Sequence, residues 1–222
     1  MRLLQFSTSH YCRKVRLALG FKQLTYSVEN LTPGLHWLQL QPMTGLTTVP
    51  VLLPELAGQP QAIADSSQIL QFLETQFPQP ALNLPEPALQ TQALQLEDWL
   101  DESIGVATRF LYYDYRAGAG KALSTSRFSQ VLVQVVRQQY RINAATVALA
   151  KRRLDLGLLV LSERWQHRPY LVGEQLSLAD ITAAGLLSPL ALIPDYRQTY
   201  PWLWERVATI HESCREPLPP GL

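Results

Sequence analysis

The stretch STSHYCRKVRLALG at residues 7–20 places a hydroxyl and a thiol close together near the start of the chain. Ser9 and Cys12 are three residues apart, at a point where a short strand is expected to lead into a helix. On that predicted helix Cys12 shares one side with Val15 and Leu19, and a cysteine on an apolar face is usually an inert small hydrophobic residue. The residues alone leave open which of the two, if either, takes part in chemistry.

The surrounding sequence predicts a small α/β unit that would position this stretch. Short apolar runs predict strands at residues 2–6, 24–28, 49–53 and 61–63, with a helix after the first strand. Asp65 can cap a further helix, which continues through SSQILQFLETQF, and Gln68 occupies the last position of a capping box.

A proline-rich segment and a run of helical patterns follow. Residues 77–89 contain four prolines, which predicts an extended linker. Beyond it the sequence predicts helices at about 88–117, 125–141, 144–166, 178–190 and 200–213. The predicted organisation is an α/β domain (1–78), a linker (79–87) and an all-α domain (88–222).

The stretch LSLADI in the second half has the pattern of a helix start. Ser177 is placed as the N-cap and Asp180 as the acidic residue of a capping box, while Leu176 and Ile181 form a hydrophobic staple. We assign these residues to folding and not to catalysis.

The composition excludes several classes of function. The chain has 19 basic and 18 acidic side chains and is 47% hydrophobic, so we expect no nucleic-acid or membrane partner. Its two cysteines, at 12 and 214, form neither a zinc motif nor a disulfide framework, and no metal is expected. The opening residues do not form a signal peptide and no stretch is apolar enough to span a membrane, so the expected location is the cytoplasm.

The chain resembles the cytosolic glutathione transferases over nearly its full length. The resemblance is carried by STSHYCRKVRLAL, by TTVPVL followed by IADSSQILQFLE, and by PYLVGEQLSLADI, in that order and with the linker between the second and the third. It implies a thioredoxin-like first domain, with a mixed four-stranded sheet and a cis-proline, followed by an all-helical domain.

The resemblance also implies a set of glutathione-binding residues. Val49 and Pro50 match the Val-Pro pair whose valine backbone pairs with the cysteinyl part of glutathione. Asp65 and Ser66 match the pair that holds the γ-glutamyl end, although a capping role for Asp65 uses the same atoms. The family's usual basic or amide residue before the Val-Pro is absent, so His36 and Gln41 remain the candidates for the glycyl carboxylate.

In the family, the turn after the first strand carries the residue that stabilises the glutathione thiolate. Ser-His-Tyr-Cys aligns Ser9 with that residue, and a hydroxyl there can donate a hydrogen bond to the sulfur. Some members use a tyrosine, so Tyr11 is the second choice. Cys12 is the third choice, and His10 replaces the usual proline.

The resemblance implies an electrophile pocket along TRFLYYDYR, residues 108–116. Arg109, Tyr112, Tyr113 and Arg116 are three or four residues apart and share a helix face, which could equally be a core or dimer-contact stripe. Aromatic walls with two guanidinium groups would suit a flat or polarised acceptor.

The predicted function is a glutathione transferase that conjugates glutathione to small electrophiles in detoxification. Glutathione is then a co-substrate, and the family usually forms homodimers. Two alternatives remain, a non-catalytic binding module with the same fold and a thiol-disulfide reductase that uses Cys12. The short chain and Ser-His-Tyr-Cys suggest a bacterial-type class.

Overall fold

The computed structural model describes residues 1–124 and 126–222. Its sheet has the strand order β2-β1-β3-β4. The central strand β1 (Arg2–Gln5) pairs in parallel with β2 (Ser27–Asn30) and antiparallel with β3 (Val51–Leu53). The edge strand β4 (Ile63–Ala64) pairs antiparallel with β3. The predicted mixed four-stranded sheet is therefore confirmed.

Helices make up most of the remaining chain. Those of the sheet-containing part are α1 (His10–Phe21), α2 (Trp37–Thr44) and α3 (Ser66–Gln76). The helical part contains α4 (Pro87–Trp99), a π-helical turn (Leu100–Gly105), α5 (Val106–Ala117), a 3-10 helix (Lys121–Leu123), α6 (Arg127–Gln139), α7 (Ala144–Trp165), α8 (Leu178–Leu187), a second 3-10 helix (Ser188–Leu192), α9 (Pro194–Thr199) and α10 (Pro201–Ser213). Within the described residues, no helix combines the length and the apolar character needed to cross a membrane.

The predicted strands and long helices are present, with ends displaced by a few residues. Among the described residues, four features were not predicted, namely α2, α9, the 3-10 helix at Lys121–Leu123 and the π-helical turn that interrupts the expected helix at 88–117. Thr125, the first residue of the helix predicted at 125–141, lies outside the described residues.

One hydrophobic core extends through both parts of the molecule. Leu3 and Leu17 of the sheet-containing part belong to the same buried cluster as Leu100, Leu154 and Leu186 of the helical part. Side chains alternate across a strand, and the neighbouring Leu4 accordingly lies in a second, smaller cluster on the other face of the sheet. The two parts are therefore packed together as one unit.

Helix α1 is buried on all sides, including the side that carries its basic residues. Arg13, Lys14 and Arg16 are all buried. Arg13 donates to Ser188 Oγ at 2.8 Å, and Arg16 donates to Glu216 at 2.7 Å. The helical part covers the face of α1 that a wheel of this helix alone would leave to solvent.

Both predicted N-caps form, but only the one at Ser177 and Asp180 is a full capping box, because among the described residues the Gln68 side chain makes no bond to the Asp65 backbone. Asp65 Oδ1 accepts the backbone N–H groups of Ser67 and Gln68 at the start of α3. Asp180 Oδ2 accepts the Ser177 N–H and hydroxyl, so the assignment of this pair to folding is supported.

Candidate active site

Ser9 lies at the junction between β1 and α1. It is the N-cap of α1, with φ −72° and ψ 125°, and its Oγ accepts the Cys12 N–H at 3.3 Å. Its own N–H donates to the Phe6 carbonyl at 3.0 Å, and its side chain is only half-buried. A hydroxyl rotates freely and accepts while it donates, so Ser9 can still donate its hydrogen to a ligand above the turn.

Tyr11 directs its hydroxyl away from this position. The hydroxyl donates to the Asp101 carbonyl at 2.8 Å. Burial raises the pKa of Tyr11, while Arg109 acts in the opposite direction. The phenol therefore stays protonated at neutral pH, with its hydrogen committed to a backbone acceptor.

His10 is a buried residue at the interface between the two parts. Its Nε2 lies 3.1 Å from the Gly105 carbonyl, and because a carbonyl only accepts, Nε2 carries the hydrogen. Burial first, and then Arg109, lower the pKa of His10 from 6.5 to about 3. His10 is thus neutral at physiological pH and adds no positive charge to the turn.

Cys12 is fully buried below the turn. Burial raises the pKa of its thiol to about 11, against smaller lowering effects from Ser9 and the Phe6 backbone. A thiol attacks as the thiolate, so this environment disfavours Cys12 as a nucleophile.

The residues predicted to hold glutathione lie directly before β3 and at the start of α3. Pro50 is buried and the Val49–Pro50 peptide bond is cis, as the resemblance implies. Asp65 is exposed at φ 74°, and only its Oδ1 caps α3, which leaves Oδ2 without a hydrogen bond among the described residues. Ser66 follows it as a buried residue in the first turn.

A buried ionic network lies beneath the start of α3. Lys14 Nζ donates to Asp101 Oδ1 at 2.6 Å, to Ser67 Oγ at 3.1 Å and to Glu97. Ser67 Oγ in turn donates to Glu97 at 2.6 Å. Burial raises the pKa of Asp101, and Lys14 opposes that shift. The network connects α1 and α3 to α4 and the π-helical turn.

The two candidates for the glycyl carboxylate lie in α2 or next to it. His36 is half-buried, its Nδ1 accepts the Gly34 N–H at 3.2 Å, and its ring lies 4.9 Å from that of Phe6. Gln41 is exposed within α2. No cluster of three or more potential metal ligands occurs among residues 1–124 and 126–222.

The predicted electrophile-pocket residues divide into two groups. Arg109 faces the Ser9 turn, with its guanidinium carbon 5.2 Å from the centre of the Tyr11 ring. Tyr113 is half-buried, and burial raises its pKa to about 12. Arg116 instead donates to Tyr112 at 2.8 Å and to Ser129 at 3.2 Å.

The sequence did not indicate that Tyr140 and the π-helical turn contribute to this region. Tyr140 places its ring 4.6 Å from the Arg109 guanidinium carbon. His10 and Tyr11 both bind carbonyls of the π-helical turn. No local pattern marks these contacts, because the partners are far apart in the chain.

Two family descriptions match this sequence. The N-terminal domain of glutathione S-transferase matches residues 3–81, and the C-terminal domain of glutathione S-transferase matches residues 126–201. The chain belongs to the glutathione S-transferase family. The expected family and fold class are therefore confirmed, with a thioredoxin-like N-terminal domain and a helical C-terminal domain.

Individual relatives of the chain show the range of this likeness. A glutathione S-transferase from Methylobacterium radiotolerans, solved in complex with glutathione sulfonate, is 26% identical with a TM-score of 0.74, over 98% of this chain and 94% of its own. A stringent starvation protein A homolog from Pasteurella multocida is 24% identical over 84% of this chain and 73% of its own length. FtsZ-localized protein A from Caulobacter vibrioides is 26% identical over 86% and 75%, respectively.

Proposed function

We propose that this chain binds glutathione in its N-terminal domain and stabilises the thiolate with Ser9 for addition to small electrophiles. The observation that carries the proposal is the distribution of hydrogen bonds in the turn. Ser9 is half-buried and can donate, whereas Tyr11 donates to Asp101 and Cys12 is buried.

The chemistry requires a thiolate at neutral pH. A cysteine-like thiol has a pKa of about 8.5, so only a small fraction is ionised there. A hydroxyl that donates to the sulfur, next to the positive end of α1, favours the ionised form. Ser9 is the residue proposed to donate that hydrogen bond.

The remaining glutathione contacts follow the family pattern. Val49 would pair its backbone with the cysteinyl part, and Asp65 Oδ2 and Ser66 would receive the γ-glutamyl ammonium and carboxylate, respectively. The Methylobacterium relative, solved with glutathione sulfonate, supports a glutathione-like ligand. His36 and Gln41 remain the proposed contacts of the glycyl carboxylate.

The proposal also extends to the location, oligomeric state and domain bounds that are usual in the family. It places the chain in the cytoplasm as a homodimer that detoxifies electrophiles, with domains at 1–78 and 88–222 and a linker at 79–87. Arg109 and Tyr113 would line the acceptor side of the site, with Tyr112 and Arg116 as its supporting wall.

A binding role without catalysis is the second candidate. The observation that favours it is the pair of curated relatives, which are named as a stringent starvation protein A homolog and as FtsZ-localized protein A. The reductase alternative has less support, since Cys12 is fully buried and burial raises its pKa to about 11.

The test is a pH titration of the ultraviolet absorbance of bound glutathione thiolate. In the wild type we expect a bound pKa well below the free value. Ser9→Ala should return it towards the free value and lower the conjugation rate about tenfold or more, because a hydrogen bond to a charged group contributes about 1.5–3 kcal/mol. Ser9→Thr should restore part of the shift.

Tyr11→Phe is the matched control, because the hydroxyl that it removes donates to a backbone carbonyl. We expect it to leave the thiolate pKa nearly unchanged. A lowered pKa that Ser9→Ala does not alter would contradict the role of Ser9. Absence of glutathione binding in calorimetry would favour the binding role without catalysis.

A further inference from the structure

Arg109 is held beside the Ser9 turn by two aromatic rings. Its guanidinium carbon lies 5.2 Å from the centre of the Tyr11 ring and 4.6 Å from that of Tyr140. Cation–π contacts of this kind fix the position of a guanidinium but use none of its N–H donors. Arg109 is half-buried, so its position is defined while part of it remains accessible.

The hydrogen-bond donors of Arg109 have no acceptor in the described part of the chain. No hydrogen bond or ion pair to this side chain occurs there. The neighbouring arginines differ, since Arg116 donates to Tyr112 and Ser129, and Arg137 pairs with Asp114 at 3.3 Å. Asp114, the acidic residue of α5, is therefore already paired with Arg137. The N–H donors of Arg109 remain available to a ligand.

The charge of Arg109 acts on the groups of the proposed active site. It lowers the pKa of His10 and opposes the burial-driven rise in the pKa of both Tyr11 and Tyr113. His10 and Tyr11 directly follow Ser9 in the chain, and Tyr113 belongs to α5, the helix proposed to line the acceptor side. An arginine with free N–H groups recognises a carboxylate or a similar oxyanion through two parallel hydrogen bonds.

We infer that Arg109 selects acceptor substrates that carry an anionic group, such as an aromatic carboxylate, next to the electrophilic centre. This inference rests on the proposed function for the identity of the site. Tyr11, Tyr113 and Tyr140 supply aromatic surface for the ring of such a substrate, and Arg109 binds its carboxylate. The reacting thiolate would approach from the Ser9 side.

The test uses two unreactive ligands, so it does not depend on catalysis. Calorimetry compares 3,5-dinitrobenzoate with its neutral analogue 3,5-dinitrobenzamide at neutral pH, with and without S-methylglutathione. We expect the wild type to bind the carboxylate about tenfold or more tightly than the amide, which corresponds to about 1.4 kcal/mol. Arg109→Gln should remove this preference, and Arg109→Lys should retain part of it.

Arg152→Gln is the matched control, because Arg152 is an exposed arginine of α7. It should keep the full preference, and circular dichroism should show that every variant is folded. Equal affinity of the wild type for the two ligands, no binding of either, or a preference that survives in Arg109→Gln would overturn the inference.

Competition separates this inference from the proposed function. Binding of the carboxylate should persist when S-methylglutathione is saturating. Displacement by S-methylglutathione would assign Arg109 to the glutathione site and overturn the acceptor role. Failure of glutathione to bind at all would contradict the proposed function, while the preference for the carboxylate would still report on Arg109.

Discussion

Serine, histidine, tyrosine and cysteine follow one another at residues 9–12, and each has a different environment. His10 and Tyr11 bind carbonyls of the π-helical turn, Cys12 is buried in the core, and Ser9 caps α1 at the surface of the turn. The sequence was enough to rank Ser9 first as the residue that stabilises the thiolate, because Ser9 aligns with the functional residue of the family. It was also enough to rank Cys12 below it, because Cys12 lies on the apolar side of its helix. It could not show that the Tyr11 hydroxyl is occupied, because its acceptor lies 90 residues away.

His10 should make the stability of the protein depend on pH. Its pKa is about 3 in the folded state against 6.5 as the ordinary value, so the unfolded chain binds the proton more readily. Neutral, buried His10 makes its full contribution to the free energy of unfolding above pH 6.5. That contribution decreases as the pH falls from there towards 3. At about pH 5 we expect His10 alone to lower the free energy of unfolding by about 2 kcal/mol relative to neutral pH.

Urea unfolding of the wild type and of His10→Gln, from neutral pH to about pH 5, measures this contribution. The pKa of His211 is also lowered, whereas burial raises that of Asp101 and Asp180, and the last two act in the opposite direction. These three groups are common to both proteins, so the difference in pH dependence isolates His10. The exposed His167→Gln serves as the control, and equal pH dependence of wild type and His10→Gln would contradict the prediction.

At the scale of elements, the spacing of apolar residues predicts those helices that bury a regular stripe of apolar side chains. Helix α2 lacks one, since it contains Pro42 and buries only Leu40. The π-helical turn is also invisible to periodicity, because the apolar pattern continues across it. Its position nevertheless decides which carbonyls reach His10 and Tyr11.

The close approach of α1 and α8 depends on Gly185. A Cβ at this position would lie 3.0 Å from the Lys14 backbone, which cannot move unless α1 moves. Gly185→Ala should therefore lower the free energy of unfolding by about 1–3 kcal/mol, the usual effect of overpacking. Because α1 carries the Ser9 turn, the variant should also weaken glutathione binding.

Gly157→Ala is the matched comparison within α7. Its Cβ would meet the Ile104 side chain, whose terminal carbon can rotate away. Thermal and urea unfolding should therefore show a smaller loss for Gly157→Ala than for Gly185→Ala. Equal losses in the free energy of unfolding would contradict the prediction, because they would mean that the close backbone contact between α1 and α8 does not cause the destabilisation of Gly185→Ala.

At the scale of the whole molecule, the two parts predicted from the sequence share one core and a buried ionic network. Composition and the proline-rich segment indicated where one part ends and the next begins. They could not indicate that Lys14 is fully buried against Glu97 and Asp101 of the helical part. That burial arises from the docking of the two parts, which no local pattern encodes.

Removal of Lys14 should therefore destabilise both parts together. Lys14→Met would leave Glu97 and Asp101 buried next to each other without a counter-charge, and losses of about 3–5 kcal/mol are typical when one partner of a buried pair is removed. Urea unfolding followed by tryptophan fluorescence and by far-ultraviolet circular dichroism should give a single transition that shifts equally for both probes. Two separated transitions would contradict the idea of one cooperative unit.

Two further variants identify the cause of the loss. Lys151→Met removes the exposed partner of Asp155 in α7 and should change stability by no more than about 0.5 kcal/mol. The triple variant Lys14→Met, Glu97→Gln and Asp101→Asn removes the stranded charges and should recover much of what Lys14→Met loses. If the triple variant is no more stable than Lys14→Met, the loss comes from packing around the lysine stem, and the network does not couple the two parts through charge.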